Sequence, residues 1–329
     1  MDSGSYDLCY SHGQVLSQLH QWEAALDCYT TALEFDADGS EAWYARGLTL
    51  AALHRWEEAH SCYEQALSID PENQEIWYRQ SQVKAAQGDW SAALAACKKS
   101  ISIDPKHPAI WEQQGRVLLE LGDYPAAIRS LHKATQMQSE GARAWELLGR
   151  SLYHQGQLVE ALSAYRTALE MDPERAESWF HRGHLLGNLE RWEDALESYD
   201  KAIEFDPDFA LAWYQRGQVQ VKLQQFDAAL VSYAECLKLD PECAPAWYQQ
   251  GNILFQLGQL EVALVSYERA TCLNPNDYHI WNNYGNVLGS LKQHERAIAS
   301  YDKALALQPQ SYQSWHNRGK ALCHLPKSP

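Results

Sequence analysis

An all-α fold built from stacked helix pairs is predicted by three regularities of this sequence. Tryptophan recurs every 34 residues through nearly the whole chain, without a slip. A period of this size is typical of repeated supersecondary units, each too small to bury its apolar face alone. Glycine and alanine recur at fixed places within the same period, and proline closes most copies. The nine tryptophans are Trp43, Trp77, Trp111, Trp145, Trp179, Trp213, Trp247, Trp281 and Trp315.

Small residues indicate where the two helices of each copy approach one another. When these tryptophans are numbered position 4 of each copy, position 8 is glycine in every copy except for Ser81, and position 20 is alanine throughout. A side chain larger than alanine there would overpack the contact, at a cost of about 1–3 kcal/mol. The pattern therefore predicts two closely packed antiparallel helices. The tryptophan and the tyrosine that usually occupies position 24 fill the space beside them.

Glycine and proline mark the loops. Glycines such as Gly88 and Gly258 lie in the middle of a copy, where a loop joins its two helices. Proline at position 32, as in Pro71, cannot continue a helix and disfavours helical geometry in the residue before it. It therefore ends the second helix and starts the next copy.

The period predicts one array over residues 1–329, with about nineteen helices and no strand. The nine full copies span residues 6–39, 40–73, 74–107, 108–141, 142–175, 176–209, 210–243, 244–277 and 278–311, and a terminal helix spans 312–325. The first copy is degenerate, with Cys9 at the tryptophan position. The third and fourth copies have Ser81, Cys97, Leu131 and Ser139 at otherwise regular positions, which predicts a local change of packing or curvature.

The combined pattern of Trp, Gly, Ala, an aromatic residue and Pro resembles the tetratricopeptide repeat. The resemblance extends from about Ser5 to Leu325. It implies a right-handed superhelical α-solenoid whose first helices line a concave groove, with positions 2, 5, 6, 9, 12 and 13 pointing into it. The Trp-Tyr pairs and the frequent glutamine resemble bacterial, especially cyanobacterial, members of the family.

Composition and charge argue against several classes of function. The sequence has no run of about 18 apolar residues that would span a membrane, and no basic and then apolar signal peptide at its start. Its net charge of −16 argues against binding to nucleic acid or an anionic membrane, because both require that phosphates be neutralised. The eight cysteines include no Cys-x-x-Cys pair. We interpret them as small hydrophobic residues of a cytoplasmic protein.

No catalytic or metal-binding motif is evident. Acidic pairs such as Glu57 and Glu58 begin second helices, where carboxylates complement the helix dipole. His181 and His184 share a helix face, and His154 lies in the preceding copy. Three imidazoles are potential ligands of zinc or nickel, but no acidic or thiol ligand completes the set. We therefore predict no enzyme activity, no cofactor and no metal.

The residues at the groove positions change along the array. Aromatic residues occupy position 5 of six copies, beside acidic residues in the early copies, while the middle copies are basic and the late copies carry amides at positions 6 and 9. An amide both donates and accepts, so the late amides are suited to the backbone of an extended peptide. The candidate groove residues are Tyr10, Glu41, Tyr44, Glu75, Tyr78, Arg116, Arg150, Phe180, Tyr214, Gln215, Gln218, Tyr248, Gln249, Asn252, Asn283, Asn286 and Asn317.

The sequence thus predicts a protein–protein interaction scaffold that binds an extended peptide or a helix of a partner. The amides resemble the asparagine ladder in the repeat domain of O-linked N-acetylglucosamine transferase, although Gln occurs here as well as Asn. An alternative is that they are ordinary polar residues of a solvated face. The carboxylate clamp of heat-shock co-chaperones needs Lys at position 5, which no copy has. Further alternatives are a regulatory or substrate-recruiting region of a larger multidomain enzyme, and self-association through the array ends.

Overall fold

The computed structural model describes residues 3–137 and 141–325 and divides at Pro173 into two compact units. Unit 1 contains α1 (Ser3–Gln18), α2 (Trp22–Phe35), α3 (Ser40–Ala52), α4 (Trp56–Ile69), α5 (Gln74–Ala86), α6 (Trp90–Ile103), α7 (Pro108–Glu120), α8 (Tyr124–Gln136), α9 (Ala142–His154) and α10 (Leu158–Met171). Unit 2 contains α11 (Ala176–Asn188), α12 (Trp192–Phe205), α13 (Ala210–Lys222), α14 (Phe226–Leu239), α15 (Ala244–Gln256), α16 (Leu260–Leu273), α17 (Tyr278–Ser290), α18 (His294–Leu307) and α19 (Tyr312–Cys323). The described residues thus form nineteen helices and no strand, which confirms the predicted all-α class.

Within each unit the helices pack in chain order. Each helix contacts the next, and most neighbouring odd-numbered helices, which are the first helices of the repeats, also contact one another. These contacts join α1 to α3, α3 to α5, α5 to α7 and α7 to α9 in unit 1, and α11 to α13, α15 to α17 and α17 to α19 in unit 2. The first helices of neighbouring repeats therefore present their side chains side by side.

The recurring tryptophans hold the loops between repeats. In seven copies the indole nitrogen of position 4 donates a hydrogen bond of 2.8–3.0 Å to the carbonyl oxygen six residues earlier, which belongs to position 32. Trp77 bonds Pro71 in this way, and Trp213 bonds Pro207. Apart from Trp315, which is about half exposed, these tryptophans are partly buried, so their polar edge and their apolar ring are both used.

Glycine at position 8 leaves room for the ring at position 24 of the same repeat. A Cβ atom added to Gly47 would lie 2.5 Å from Cε1 of Tyr63, and one added to Gly217 would lie 2.7 Å from Cε1 of Tyr233. These tyrosines are almost wholly buried, and every alanine at position 20 is fully buried. The predicted close approach of the two helices is therefore confirmed, and the tyrosine rather than the tryptophan fills its centre.

The third repeat departs from this pattern at both partners together. Ser81 replaces the glycine, and Cys97 replaces the tyrosine that would collide with the serine side chain; both residues are fully buried. Burial raises the pKa of the Cys97 thiol to about 11, against a smaller opposing effect from its hydrogen bond with Ser81. The irregularity is thus a local exchange of volume. In the fourth repeat Leu131 replaces the tyrosine and is fully buried beside Gly115. Ser139, the remaining irregularity, lies outside the described residues.

The first helix of each repeat ends at a residue with left-handed backbone geometry. Gly88, Gly122, Gly156 and Gly258 have φ angles of +75° to +83°, and the same place is taken by His20, His54, Glu190, Gln224 and Lys292 at φ of 57° to 60°. Glycine adopts this geometry without strain because it has no Cβ atom, whereas the other residues are sterically strained there. Five of the nine loops therefore keep a strained residue at the end of the helix.

Candidate functional site

All of the candidate groove residues lie on odd-numbered helices. In unit 1 they occupy α1, α3, α5, α7 and α9, and in unit 2 they occupy α11, α13, α15, α17 and α19. Hydrogen bonds connect many of them within unit 2, so positions 5, 6 and 9 form a shared surface there. Phe180 is more deeply buried than the other candidates: it is 7% exposed and packs on the Phe209 ring at a centroid distance of 4.8 Å.

Three of the acidic and aromatic candidates of unit 1, Glu75, Tyr44 and Tyr78, surround a cation of the chain itself. Arg79 pairs with Glu75 at 2.8 Å, and its guanidinium lies 5.2 Å from the centre of the Tyr78 ring. The Tyr44 hydroxyl lies 3.5 Å from the same carboxylate. Arg79 was not among the sequence candidates, although its spacing of four residues from Glu75 favours a pair on one helix. Because Arg79 pairs with Glu75, a positively charged ligand would meet less negative charge on this part of the surface than the sequence suggested.

Tyr10 and Tyr44 line one cleft of unit 1. The cleft has a volume of about 430 Å³, and its other walls include Trp22, Tyr29 and Leu48. Burial raises the pKa of the Tyr10 hydroxyl, and the nearby Glu41 carboxylate raises it further. The lining combines aromatic rings with few polar atoms, as expected of a site for an apolar or aromatic side chain.

Arginine residues gather in the fourth and fifth repeats. Burial lowers the pKa of Arg116, and the neighbouring charge of Arg143 lowers it further. Arg143 lies 3.8 Å from Glu112, and Arg150 lies 3.7 Å from Glu120. The basic character predicted for this region is therefore balanced by carboxylates on α7, which pair with arginines on α9.

The amides of unit 2 form a hydrogen-bonded row from one repeat to the next. Asn283 donates to the Oδ1 atom of Asn252 at 3.1 Å, and Asn317 donates to Oδ1 of Asn286 at 2.9 Å. The same two oxygen atoms accept from the buried tyrosines of their own repeats, at 2.6 Å from Tyr267 and 3.0 Å from Tyr301. Position 9 of one repeat and position 6 of the next are therefore held in a fixed orientation.

The seventh repeat breaks this row because Gln218 takes the place of asparagine. The longer Gln218 side chain donates to the Tyr214 hydroxyl at 2.6 Å. The Tyr233 hydroxyl is left buried and without a hydrogen-bond partner among the described residues. Here the unit 2 cleft, lined by His184, Gly187, Asn188, Trp192, Tyr199, Gln215, Gln218, Val219, Val221, Lys222, Tyr233 and Gln249, has a volume of about 580 Å³. Of these residues, only Gln215, Gln218 and Gln249 were candidates from the sequence.

The histidine candidates show no metal centre. Among the described residues, no group of three or more His, Cys, Asp or Glu side chains is arranged to hold a metal ion. His154 stacks on the Tyr124 ring at a centroid distance of 5.0 Å. In the part of the chain that the structure describes, no helix combines the length and apolarity needed to cross a membrane.

Solved structures with the same fold include several repeat proteins. YrrB, described as a TPR protein with an unusual peptide-binding site, is 26% identical over 58% of this chain and 99% of its own, with a TM-score of 0.53. The C-terminal part of a TPR repeat-containing protein from Cytophaga hutchinsonii is 17% identical over 73% of this chain and 98% of its own, with a TM-score of 0.59. PilF of Pseudomonas aeruginosa is 17% identical over 65% of this chain and 97% of its own, with a TM-score of 0.58. The last two show the fold alone, and no curated protein sequence matches the chain at a significant level.

Family models agree with these structural matches. Models of the tetratricopeptide repeat match residues 40–73, 74–107, 112–176, 210–243 and 248–312, and a TPR repeat model matches residues 188–224. Together the matches cover more than half of the chain. The predicted bacterial origin and the predicted repeat boundaries remain untested. With its helix pairs, its tryptophan-bonded loops and these matches, the chain belongs to the tetratricopeptide repeat family.

Proposed function

We propose that this chain is a protein–protein interaction scaffold that binds an extended segment of a partner across the first helices of unit 2. The amide row of Asn252, Asn283, Asn286 and Asn317 is the observation that carries the proposal. Chains built of such repeats are typical of non-enzymatic scaffolds. The peptide-binding site described for YrrB supports this class of function for a relative of the same fold.

The hydrogen-bond inventory of the row favours a peptide backbone as its ligand. Each amide nitrogen carries two hydrogens. Asn252 uses its nitrogen on Gln249 at 3.1 Å, and the Asn286 side chain donates none of the hydrogen bonds among the described residues. The oxygen atoms are occupied by the tyrosines, so the remaining capacity is mainly to donate. Carbonyl oxygens of an extended chain accept such bonds without regard to its sequence.

Fixed amides also lower the cost of binding. Ordering a flexible side chain at an interface costs about 0.5–1.5 kcal/mol. Asn252 and Asn286 are already held by Tyr267 and Tyr301 before any ligand arrives. Much of the side-chain entropy that binding would otherwise remove has therefore already been lost on folding.

The test uses a partner captured from the native host with the whole chain and identified by mass spectrometry. We expect Asn252→Ala combined with Asn286→Ala to weaken the affinity of that partner about five- to hundredfold, because each lost hydrogen bond contributes about 0.5–1.5 kcal/mol. Isothermal titration calorimetry measures the change.

A matched control separates binding from stability. Tyr267→Phe combined with Tyr301→Phe removes the same internal hydrogen bonds but keeps both amides on the surface. We expect this control to lower the unfolding midpoint and to weaken the affinity less than the amide variant does, because Asn283 and Asn317 still bond both amides. Equal affinities for the amide variant and the tyrosine control would reject the amide row as the binding surface.

A further inference from the structure

We propose that the unit 2 cleft around Tyr233 is a specific subsite that binds a carboxylate of the partner segment. The inference rests on the proposed function, since the cleft lies along the same first helices. It goes beyond the amide row because it assigns a chemical class to one group of the ligand.

The buried hydroxyl of Tyr233 is the first observation. The Tyr29 hydroxyl pairs with Ser17, the Tyr267 hydroxyl with Asn252 and the Tyr301 hydroxyl with Asn286. Tyr233 occupies the equivalent place, is 0% exposed, and has no partner among the described residues. A buried donor without a partner is unfavourable and calls for an explanation. Because Tyr233 lines the cleft, a ligand acceptor seated there provides the missing partner.

The cause lies in two residues of the seventh repeat. Asparagine at position 9 reaches the buried tyrosine of its own repeat, as Asn252 and Asn286 do. Gln218 is one methylene longer and instead donates to Tyr214 at 2.6 Å. With Gln218 turned to Tyr214, and with Val221 where the first repeat has the Ser17 that pairs with Tyr29, the phenol is left unpaired next to the cleft.

The charge of the lining selects an anionic acceptor. The chain as a whole carries a net charge of −16, yet no Asp or Glu lines this cleft. Lys222 lines it, and no carboxylate lies within ion-pair distance of Lys222 among the described residues. The Lys222 ammonium lies 5.9 Å from the centre of the Trp192 ring at the edge of the cleft.

The neutral donors of the cleft complete the recognition of a carboxylate. Gln215 lines the cleft, and its side chain makes no hydrogen bond among the described residues. A carboxylate presents two oxygen atoms with about four acceptor sites, enough for Tyr233, Gln215 and Lys222 together. A single main-chain carbonyl is neutral and has fewer acceptor sites. The carboxylate can belong to an acidic side chain or to a chain terminus.

Three pentapeptides test the proposal on the full chain. The first is a capped alanine peptide with a central Glu, the second has Gln in its place, and the third is an acetylated alanine peptide with a free terminal carboxylate. Methyl NMR of Val219 and Val221, which both line the cleft, reports binding. We expect at least one carboxylate peptide to bind about tenfold or more tightly than the Gln peptide. The tighter of the two identifies the source of the carboxylate.

Two tyrosine variants make the test specific. We expect Tyr233→Phe to weaken binding of the carboxylate peptide about tenfold while the unfolding midpoint stays the same or rises, because the lost hydroxyl had no partner. Tyr267→Phe should lower the unfolding midpoint and change the affinity for the carboxylate peptide by no more than about twofold, since the Tyr267 hydroxyl donates to Asn252 outside the cleft lining.

Binding of both carboxylate peptides no tighter than that of the Gln peptide, no response of either valine up to roughly 10 mM peptide, or unaltered binding by Tyr233→Phe would overturn the carboxylate assignment. None of these outcomes depends on Asn252 or Asn286, so the amide-row proposal would still be decided by its own variants.

Discussion

Adding one methyl group at position 8 should cost stability only where a buried side chain of position 24 faces it. In Gly285→Ala the new Cβ atom would lie 2.5 Å from Cε1 and 2.8 Å from Cδ1 of Tyr301. Carbon atoms pack at about 3.5–4.0 Å, so the ring must move by roughly 1 Å. Tyr301 is 3% exposed, and its hydroxyl is bonded to Asn286. The ring therefore has little room to move.

The magnitude follows from two opposing effects. Overpacking costs about 1–3 kcal/mol, and alanine gains about 1 kcal/mol over glycine within a helix. We expect Gly285→Ala to lower the free energy of unfolding by up to about 2 kcal/mol. Gly319 is the matched control, because it lies at the same position of the terminal helix and nothing lies within 4 Å of its added Cβ. Gly319→Ala should therefore stabilise α19 by about 0.5–1 kcal/mol.

Urea denaturation followed by circular dichroism measures the global effect. Hydrogen exchange of the α17 and α19 amides measures the local one, because repeat arrays open locally. A second substitution, Tyr301→Cys, should remove most of the penalty of Gly285→Ala, as the natural pair Ser81 and Cys97 suggests. Equal and favourable effects of both glycine substitutions would refute the steric account.

The other predictions concern a loop and the buried phenols. Gln224 has a φ of +59°, so Gln224→Gly should raise the thermal midpoint by the equivalent of about 1 kcal/mol. Gly258→Ala, at a φ of +75° with no atom near the added Cβ, should lower the midpoint by a similar amount. A lower midpoint for Gln224→Gly or a higher one for Gly258→Ala would contradict the strain argument. Burial raises the pKa of Tyr301 to about 12 and raises that of Tyr63 and Tyr267 as well. Because these phenols ionise first in the unfolded chain, their contribution to stability is complete below about pH 10 and is lost as the pH rises toward 12. Urea unfolding and tyrosine absorbance measured against pH should show this loss. A free energy of unfolding that stays constant over that range would contradict it.

Periodicity was sufficient to predict the architecture. The spacing of tryptophan, alanine and proline indicates helix pairs without knowledge of any contact, since only a repeated unit keeps such a register. The indole bond from Trp77 to the Pro71 carbonyl explains why the spacing from position 32 to the next position 4 is constant. The sequence also contained the paired change of Ser81 and Cys97, but its meaning needs the distance between their side chains.

The surface was less predictable because contacts between side chains decide what remains available to a ligand. Arg79 neutralises Glu75, although the sequence assigned that carboxylate to a ligand cation. Asn252 and Asn286 support buried tyrosines, which no pattern of exposed polar residues reveals. Tyr233 looks like every other tyrosine at position 24. It is distinguished by the combination of Gln218 at position 9 and Val221 at position 12, where the first repeat has Ser17 to pair with Tyr29.

Site-specific photocrosslinking tests the binding surface most directly. A photoreactive benzoyl-phenylalanine at Tyr248 would report from the first helices of unit 2. The same residue at Val265, which is 59% exposed on α16, would report from a second helix. With the captured partner, crosslinks should form from position 248 and not from 265, and they should disappear when unlabelled partner is added in excess. Crosslinks from position 265 without any from 248 would place the partner on the second helices and contradict the account.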